Sequence, residues 1–204
     1  MDIIERILDL QNSPIRKIIE KRLNEFRLVG DSDLFGELCF CLMTANFRAS
    51  KCIEIQERIG RGFHTWDEER LATELKSMGH RFWPQRAKRI VLARGIKTEL
   101  LGIRDMNSNE ARDFLVENVL GLGLKESSHF LRNIGVLDVS IIDFHIVDLL
   151  VREGLIGELP SKSISSSRYI EIEDILKGLG NKLSMNLAEI DLYLWYIETG
   201  NILK

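Results

Sequence analysis

Cysteine is scarce in this chain, and its scarcity excludes two kinds of site. The 204 residues include three cysteines, Cys39, Cys41 and Cys52, all in one predicted helical region. An odd number of cysteines so close together argues against a set of disulfide bonds. Three thiolates also cannot supply the four ligands that an iron–sulfur cluster usually takes. We therefore interpret these residues as small side chains of the core.

Long hydrophobic runs and clustered histidines are absent as well. No apolar stretch approaches the ~20 residues that a membrane span needs. Charged residues, among them Asp2, Glu5 and Arg6, interrupt the apolar positions at the N-terminus, which therefore does not resemble a signal peptide. The four histidines show no spacing typical of metal ligands. We expect a cytoplasmic protein with no metal site.

An excess of positive charge is missing too. The formal net charge is −3, so any site for nucleic acid would have to be a local basic face. The densest basic run lies at residues 81–94 and includes Arg81 and Arg86, with aromatic Phe82 and Trp83 among them. Such a run is usually a solvated helix face. Basic side chains interleaved with aromatic ones also suit phosphate contact beside base stacking, and both interpretations stay open.

Helical periodicity dominates what is present. The composition, 45% hydrophobic and 29% charged, is ordinary for a globular protein, and the length suffices for one large domain or two small lobes. Nearly every periodic segment has helical spacing, including residues 3–11, 14–29 and 34–44. The last of these is almost entirely apolar, which predicts a central buried helix. The fold class is therefore predicted to be all-α, with a short extended piece at residues 139–142.

Capping residues mark the predicted helix starts. Asn107 precedes a helix that ends near residue 118, and Asn186 precedes the last helix. Thr65 and Glu68 have the spacing of a capping box before a helix over residues 71–78. Two stretches are predicted to be turns, residues 30–33 and the serine-rich residues 162–167, which come before a helix over residues 168–179.

Residues 107–135 form the motif around which the chain is organised. One amphipathic run ends near residue 118, Gly121 and Gly123 form a Gly-x-Gly turn, and a second run begins at Lys125. Two glycines without Cβ atoms allow a tight turn and a close approach of the backbone to a partner. The start of the second helix offers unpaired N–H groups and the positive end of a helix dipole, which suit a phosphate. This pattern predicts a helix-hairpin-helix motif.

Asp143 follows this motif and has the chemistry of an N-cap for a helix over residues 144–152. Taken singly, Asp143 is more often a plain cap and Lys125 more often a solvated lysine. Together, a lysine after the Gly-x-Gly turn and an aspartate before a helix resemble the base-excision DNA glycosylases with lyase activity. The string at residues 123–133, GLKESSHFLRN, is similar to that of the archaeal-type 8-oxoguanine DNA glycosylase/abasic-site lyases.

The resemblance covers nearly the whole chain, because further similar segments are LMTAN at 42–46, GHRF at 79–82 and LYLWY at 192–196. It implies one unit over residues 1–204, with two helical lobes and the active site in the cleft between them. It implies an enzyme that excises 8-oxoguanine from double-stranded DNA and cleaves the abasic site by β-elimination.

Two residues would carry the chemistry. Lys125 would form a Schiff base with the sugar, since burial and the N-terminus of a helix both favour the neutral amine that acts as a nucleophile. An ionised Asp143 would stabilise the oxocarbenium-like sugar and help to orient Lys125.

Other residues would hold the base and the DNA. By resemblance, Phe82 and Trp195 are candidate surfaces for the flipped base, although on spacing alone both are core aromatic residues. The carboxyl group of Lys204 would accept hydrogen bonds from the guanine edge.

Contacts to the DNA backbone and the opposite strand are expected elsewhere. Gly121 and Gly123 would hold phosphate, with Arg81 and Arg86 as further DNA contacts. The loop after the buried helix would place Asn46 against the opposite strand and Arg48 near phosphate, and the alternative is a capped loop without such a role.

The resemblance also bears on cofactors and partners. The related endonucleases usually carry an iron–sulfur cluster, for which this chain has too few cysteines, so we expect no cofactor. A monovalent cation at the hairpin carbonyls would fit. The expected form is a monomer in the cytoplasm of a prokaryote, beside chromosomal DNA, with no membrane partner. Many relatives have a basic residue at the position of Phe144. The phenylalanine in this chain removes a phosphate or surface contact.

Two alternatives remain at this point. One is a glycosylase/lyase for another damaged base. The other is a non-catalytic helix-hairpin-helix module that holds phosphate without sequence preference.

Overall fold

The fold is helical throughout the part of the chain that the computed structural model describes, which is residues 2–29, 33–159 and 164–204. Within these ranges there are thirteen α-helices, two short 3₁₀ turns and no β-strand. The predicted all-α fold class is confirmed. The helices are α1 Ile3–Gln11, α2 Ile15–Arg27, α3 Leu34–Thr44, α4 Ala49–Ile59, α5 Gly62–Thr65, α6 Glu68–Ser77, α7 Trp83–Ala93, α8 Lys97–Leu100, α9 Ser108–Asn118, α10 Leu124–Asn133, α11 Phe144–Arg152, α12 Ser166–Leu183 and α13 Leu187–Thr199.

Several helices begin at the predicted caps. The side chain of Asn107 caps α9, and Asn186 with Glu189 forms a complete capping box at α13. The predicted box at Thr65 and Glu68 is wrong, because the cap of α6 is Asp67, whose carboxylate accepts a hydrogen bond from the Arg70 N–H at 2.8 Å. A carboxylate one residue before the helix reaches the third N–H group directly, so α6 begins earlier than its apolar pattern suggested.

The predicted turns are described only in part. Residues 30–32, in the turn before α3, lie outside the described residues, as do residues 162 and 163. Ser166 and Ser167, expected in a surface turn, instead form the start of α12, because the side chain of Ser165 caps the Arg168 N–H. Residues 139–142, predicted to be a short extended piece, belong to no helix or strand, and side chains hold them in place.

Two hydrophobic clusters make up the core. The first cluster extends from Leu34 to Val139 and is centred on α3, every residue of which is buried as predicted. The second cluster joins α1 and α2 to α11, α12 and α13. Helix α10 packs against α3 and α9 of the first cluster and also meets α2 of the second. The N-terminus of α10, which carries Lys125, therefore lies at the junction of the two clusters.

Two buried ion pairs join the clusters. Arg112 of α9 donates to both carboxylate oxygens of Glu173 in α12, at 2.8 and 2.9 Å. Arg132 of α10 pairs with Asp191 of α13 at 2.5 Å. Burial raises the pKa of Asp191, although the Arg132 guanidinium opposes that effect. Because a buried charge is costly without its partner, these pairs fix how the helices of one cluster meet those of the other.

Candidate active site

A cavity of about 960 Å³ lies between the two clusters. Its walls come from the α3–α4 loop and the start of α10 on one side, and from α11, α12, α13 and the C-terminal residues on the other. Seven of the predicted site residues line it, namely Asn46, Arg48, Gly123, Lys125, Asp143, Trp195 and Lys204. The structure thus brings most of the candidate residues to one place.

Lys125 lies in the first turn of α10. The N-cap of this helix is Gly123, which has no side chain to pair with the first N–H groups. The Lys125 ammonium lies 3.5 Å from the Glu126 carboxylate, and its side chain is 29% exposed. The amine is therefore partly shielded, yet a ligand in the cavity can reach it.

Asp143 is the N-cap of α11, as predicted, and accepts a hydrogen bond from the Ile146 N–H at 3.0 Å. The backbone just before it is fastened by α12. The Ser140 N–H donates to Glu173 at 2.9 Å, and the Tyr169 hydroxyl donates to the Ser140 carbonyl at 2.6 Å. The Ile142 N–H donates to the same hydroxyl at 3.3 Å. Asp143 thus has a fixed position, although the segment before it belongs to no regular element.

The two glycines of the hairpin turn differ in backbone conformation and in their surroundings. Gly121 has a φ of +97°, and a Cβ there would lie 2.5 Å from a guanidinium nitrogen of Arg89. A larger residue would be strained and would displace that side chain. Gly123 is exposed at a negative φ, and among the described atoms an added Cβ would approach Glu126 at 3.7 Å, an ordinary contact. Gly121 is required by the turn itself, whereas Gly123 leaves an open surface beside Lys125.

The C-terminal residues follow α13 back to the cavity. Lys204 lines the cavity with its backbone, to which the ring of buried His129 hydrogen-bonds. Burial, with Arg132 and Lys125 nearby, lowers the pKa of His129 well below its ordinary value of 6.5, so this imidazole is neutral at neutral pH. Trp195 also lines the cavity, and its ring meets His145 edge to face at 5.6 Å between centroids.

Comparison with known proteins decides the family. The sequence profile described as 8-oxoguanine DNA glycosylase matches residues 19–185. The 8-oxoguanine DNA glycosylase/AP lyase of Methanocaldococcus jannaschii is 47% identical over 212 residues and is covered completely, as is this chain. This chain belongs to the 8-oxoguanine DNA glycosylase family. The corresponding protein of Korarchaeum cryptofilum is 49% identical over 206 residues, covering all of this chain and 98% of the relative.

Solved structures agree with this glycosylase family. The Methanocaldococcus jannaschii 8-oxoguanine glycosylase/lyase in complex with a 15mer DNA containing 8-oxoguanine has a TM-score of 0.95 and 46% identity, and 99% of each chain is covered. The 8-oxoguanine DNA glycosylase of Thermotoga maritima has a TM-score of 0.93 and 37% identity, covering 99% of this chain and 98% of that one. The predicted glycosylase fold, with its cleft between two helical lobes, is confirmed.

The basic run of this glycosylase is used differently from the prediction. Arg86 is 4% exposed, and its guanidinium donates to the Ala45 carbonyl at 2.7 Å, so it is not available to a phosphate. Exposed Arg81 donates to the Asn46 carbonyl at 3.4 Å, and the ring of His80 hydrogen-bonds to the Met43 carbonyl at 3.0 Å. These three side chains hold the end of α3 and the Asn46 loop.

That loop has an unusual backbone. Asn46 has a φ of +58°, a left-handed conformation in which asparagine is one of the more tolerant residues. The turn directs residues 46–48 along the rim of the cavity, where Asn46 and Arg48 are both exposed. Their exposure leaves them free to contact DNA.

Phe82 is not among the residues that line the cavity. It precedes α7, and the Arg81 guanidinium stacks on its ring at 4.4 Å. The sequence placed it near Trp195 by resemblance alone, and the structure does not bring the two together at this cavity. Phe144, in contrast, lines the cavity beside Asp143 and is 49% exposed, so an aromatic face is available at the mouth.

Sequence reasoning missed several residues of the site. Glu126 lies beside Lys125, and its only sequence signal is that adjacency. Tyr169 and Glu173 hold the segment before Asp143, and nothing in the pattern of α12 distinguishes them from ordinary core residues.

The cysteines are core residues, as interpreted. All three are free and fully buried in the first cluster, and burial raises the pKa of the Cys52 thiol to about 12. Among the described residues, no group of three or more histidine, cysteine and carboxylate side chains is arranged to hold a metal ion. Nor does any helix in the described ranges have the length and apolar character to cross a membrane.

Proposed function

We propose that this chain excises 8-oxoguanine from double-stranded DNA and then cleaves the abasic site by β-elimination. The observation that carries the proposal is the convergence of Lys125 and Asp143 on one cavity between the two clusters, in a chain of this family. Each lies at the N-terminus of a helix, where an anionic group or a developing negative charge is favoured.

Base release is the first step. The damaged nucleotide must leave the stack, because its C1′ atom is otherwise hidden. The neutral amine of Lys125 then attacks C1′, the bond between C1′ and the base breaks, and the base departs with the bonding electrons. The base takes up the proton that the amine loses. The Asp143 carboxylate stabilises the positive charge that develops on the sugar.

Strand cleavage follows on the same lysine. Opening of the sugar ring gives a Schiff base between C1′ and the Lys125 nitrogen. A general base, for which the departed purine anion or water suffices, takes up a C2′ proton, a C2′=C3′ double bond forms and the C3′–O bond breaks. The phosphate leaves as the 5′ end of the downstream strand. Water then hydrolyses the Schiff base and frees Lys125 for another cycle.

The base and backbone contacts are part of the proposal. Trp195 offers a flat surface in the cavity, and the backbone oxygen of Lys204 can accept a hydrogen bond from the N1–H or the exocyclic amine of the purine. The hairpin N–H groups at Gly121 and Gly123 would face the phosphates. Asn46 would bond the opposite strand.

No cofactor enters this scheme, and a monovalent cation at the hairpin carbonyls stays a prediction. We expect a monomer that acts in the cytoplasm, where prokaryotic chromosomal DNA lies. The mass in solution, with and without duplex, tests the oligomeric state.

Borohydride reduction of the reacting complex tests the proposal. Wild-type protein should form a covalent adduct with duplex containing 8-oxoguanine, since reduction makes the Schiff base permanent. Lys125→Ala should form no adduct and lose both activities while it still binds the duplex. An adduct that persists in Lys125→Ala would show that another amine is the nucleophile.

Two further measurements distinguish the proposed function from a different substrate and from a non-catalytic binding module. A panel of duplexes with other damaged bases distinguishes 8-oxoguanine from another substrate. Wild-type protein that binds duplex but forms no adduct with any lesion or with a preformed abasic site would be a non-catalytic binding module.

A further inference from the structure

The side chain of Lys204 enters a small receptor on the first cluster. Its ammonium lies 3.0 Å from Glu37 Oε2 and 2.6 Å from Gln56 Oε1. It also lies 4.5 Å from the centroid of the Phe40 ring, within the range of a cation–π contact. A carboxylate, an amide oxygen and an aromatic face thus receive one ammonium group.

The receptor is held by contacts that do not involve Lys204. Glu37 is 3% exposed, and its second carboxylate oxygen accepts a hydrogen bond from Asn133 Nδ2 at 2.8 Å. Gln56 donates to the Gly36 carbonyl at 3.0 Å, which turns its amide oxygen toward Lys204. Because α3 and α10 fix these groups, the ammonium finds its partners in one position. Lys204 in turn neutralises a carboxylate that would be costly to bury alone.

The backbone of the same residue is fastened separately. His129, one helical turn after Lys125, hydrogen-bonds to the Lys204 backbone. The His129 ring lies edge to face against Phe40, with centroids 5.6 Å apart, so Phe40 meets both His129 and the Lys204 ammonium. The two attachments leave Lys204 little freedom, and its backbone stays at the cavity wall beside Lys125.

We propose that Glu37, assisted by Gln56, is a positioning residue for recognition of the damaged base. It draws the Lys204 ammonium into the first cluster and so holds the Lys204 backbone where the flipped base arrives. This inference rests on the proposed function. It assigns a role in base selection to α3 and α4, whose receptor residues are not among those that line the cavity.

Single-turnover kinetics on two substrates test the proposal. Glu37→Gln keeps the shape and the Asn133 contact but removes the charge, and should slow 8-oxoguanine excision by about 10- to 100-fold. Cleavage at a preformed abasic site, which has no base to select, should change by less than about threefold. Gln56→Met removes the amide oxygen that meets Lys204 and a weak 3.4 Å donor to Glu37, leaves the contact between Glu37 and Asn133, and should show the same selectivity. Glu57→Gln, an exposed change on the same helix, is the matched control and should leave both activities as in wild type.

A second set of variants, made in the Lys204→Met protein, distinguishes a positioning role of Glu37 from a structural one. Lys204→Met keeps the backbone and removes the ammonium, so Glu37→Gln added to it should cause no further loss of excision. If Glu37 had only a structural role, its substitution in the Lys204→Met protein would cause an additional loss of excision. Equal losses of 8-oxoguanine excision and abasic-site cleavage in Gln56→Met would likewise indicate a structural role for the receptor.

The outcomes are distinct. Selective and non-additive loss supports the proposal. Additive loss, parallel loss of both activities, or normal 8-oxoguanine excision by both Glu37→Gln and Gln56→Met overturns it while the proposed function stands. Wild-type protein that forms no trapped adduct overturns the proposed function, and this inference with it.

Discussion

Asp143 combines two roles that can be separated by one substitution. Its carboxylate caps α11 through the Ile146 N–H, and it also faces the cavity that holds Lys125. Asparagine caps a helix about as well as aspartate but carries no charge. Asp143→Asn should therefore fold and bind duplex normally, yet release 8-oxoguanine about 10²- to 10³-fold more slowly. Single-turnover excision beside a binding assay checks this, and near-normal turnover would reduce Asp143 to a structural cap.

Buried His129 makes stability depend on pH. Burial lowers its pKa from 6.5 in the folded protein, and the pKa of buried His80 is lowered for the same reason. At pH values below 6.5 the unfolded chain takes up protons that the folded chain does not, so the free energy of unfolding falls as the pH falls. The limiting slope is about 1.4 kcal/mol per pH unit for each such histidine. Above pH 6.5 the contribution of these two histidines to the free energy of unfolding should be nearly constant.

Urea denaturation between neutral and mildly acidic pH measures this effect. His129→Gln should flatten the decline, because one of the titrating groups is gone. Gln85→Asn, an exposed change without a titratable group, is the control and should keep the wild-type slope. A slope in His129→Gln equal to that of wild type would show that other groups cause the decline.

The two glycines of the hairpin turn allow its contributions to folding and to DNA binding to be tested separately. Gly121 has a positive φ and sits under the Arg89 guanidinium, so Gly121→Ala should lower the free energy of unfolding by about 1–3 kcal/mol. A Cβ at Gly123 would meet only Glu126, in an ordinary contact, so Gly123→Val should cost no more than the loss of a favourable N-cap but weaken binding to damaged and undamaged duplex alike. Thermal unfolding and duplex titration of both variants check the contrast. Unchanged affinity in Gly123→Val would show that this turn does not meet the DNA backbone.

Elements with strong periodicity and a polar cap could be predicted from the sequence. Helices α1, α9 and α13 follow the expected bounds closely, because apolar spacing and capping side chains agree there, and α3 does so through its apolar run alone. The four-residue helices α5 and α8 are too short for a periodic pattern, so no sequence signal marked them. The burial of Arg86 was also out of reach, because it depends on the Ala45 carbonyl, which the end of α3 supplies from 41 positions away.

At the scale of the whole molecule, the site forms where helices of the two clusters pack together. Lys125 and Asp143 could be singled out from the sequence because each marks a helix start. Their supports could not, since Glu173 and Asp191 come from helices of the second cluster that carry no catalytic signature. Long-range pairing of charged groups follows from three-dimensional packing, which periodicity does not encode.

The Arg112–Glu173 pair gives a test at this scale. Both side chains are nearly inaccessible to solvent, so Arg112→Met leaves the Glu173 carboxylate buried without its partner. The free energy of unfolding should fall by about 3–5 kcal/mol. Replacing Glu173 as well, as in Arg112→Met with Glu173→Leu, should recover much of the loss, since no buried charge then remains. Chemical denaturation of the three proteins checks this, and equal stability of the single and double variants would contradict it.

The fastening of residues 140–142 to α12 has a consequence during synthesis. A nascent chain that has emerged through α11 already carries the hairpin, Lys125 and Asp143, but Tyr169 and Glu173 are still to come. Its Asp143 has no fixed place until α12 docks, late in the N- to C-terminal order of folding. Under the proposed mechanism, an unfinished molecule would hold DNA by its hairpin before its catalytic carboxylate is in place, and efficient base release would come only with the completed fold.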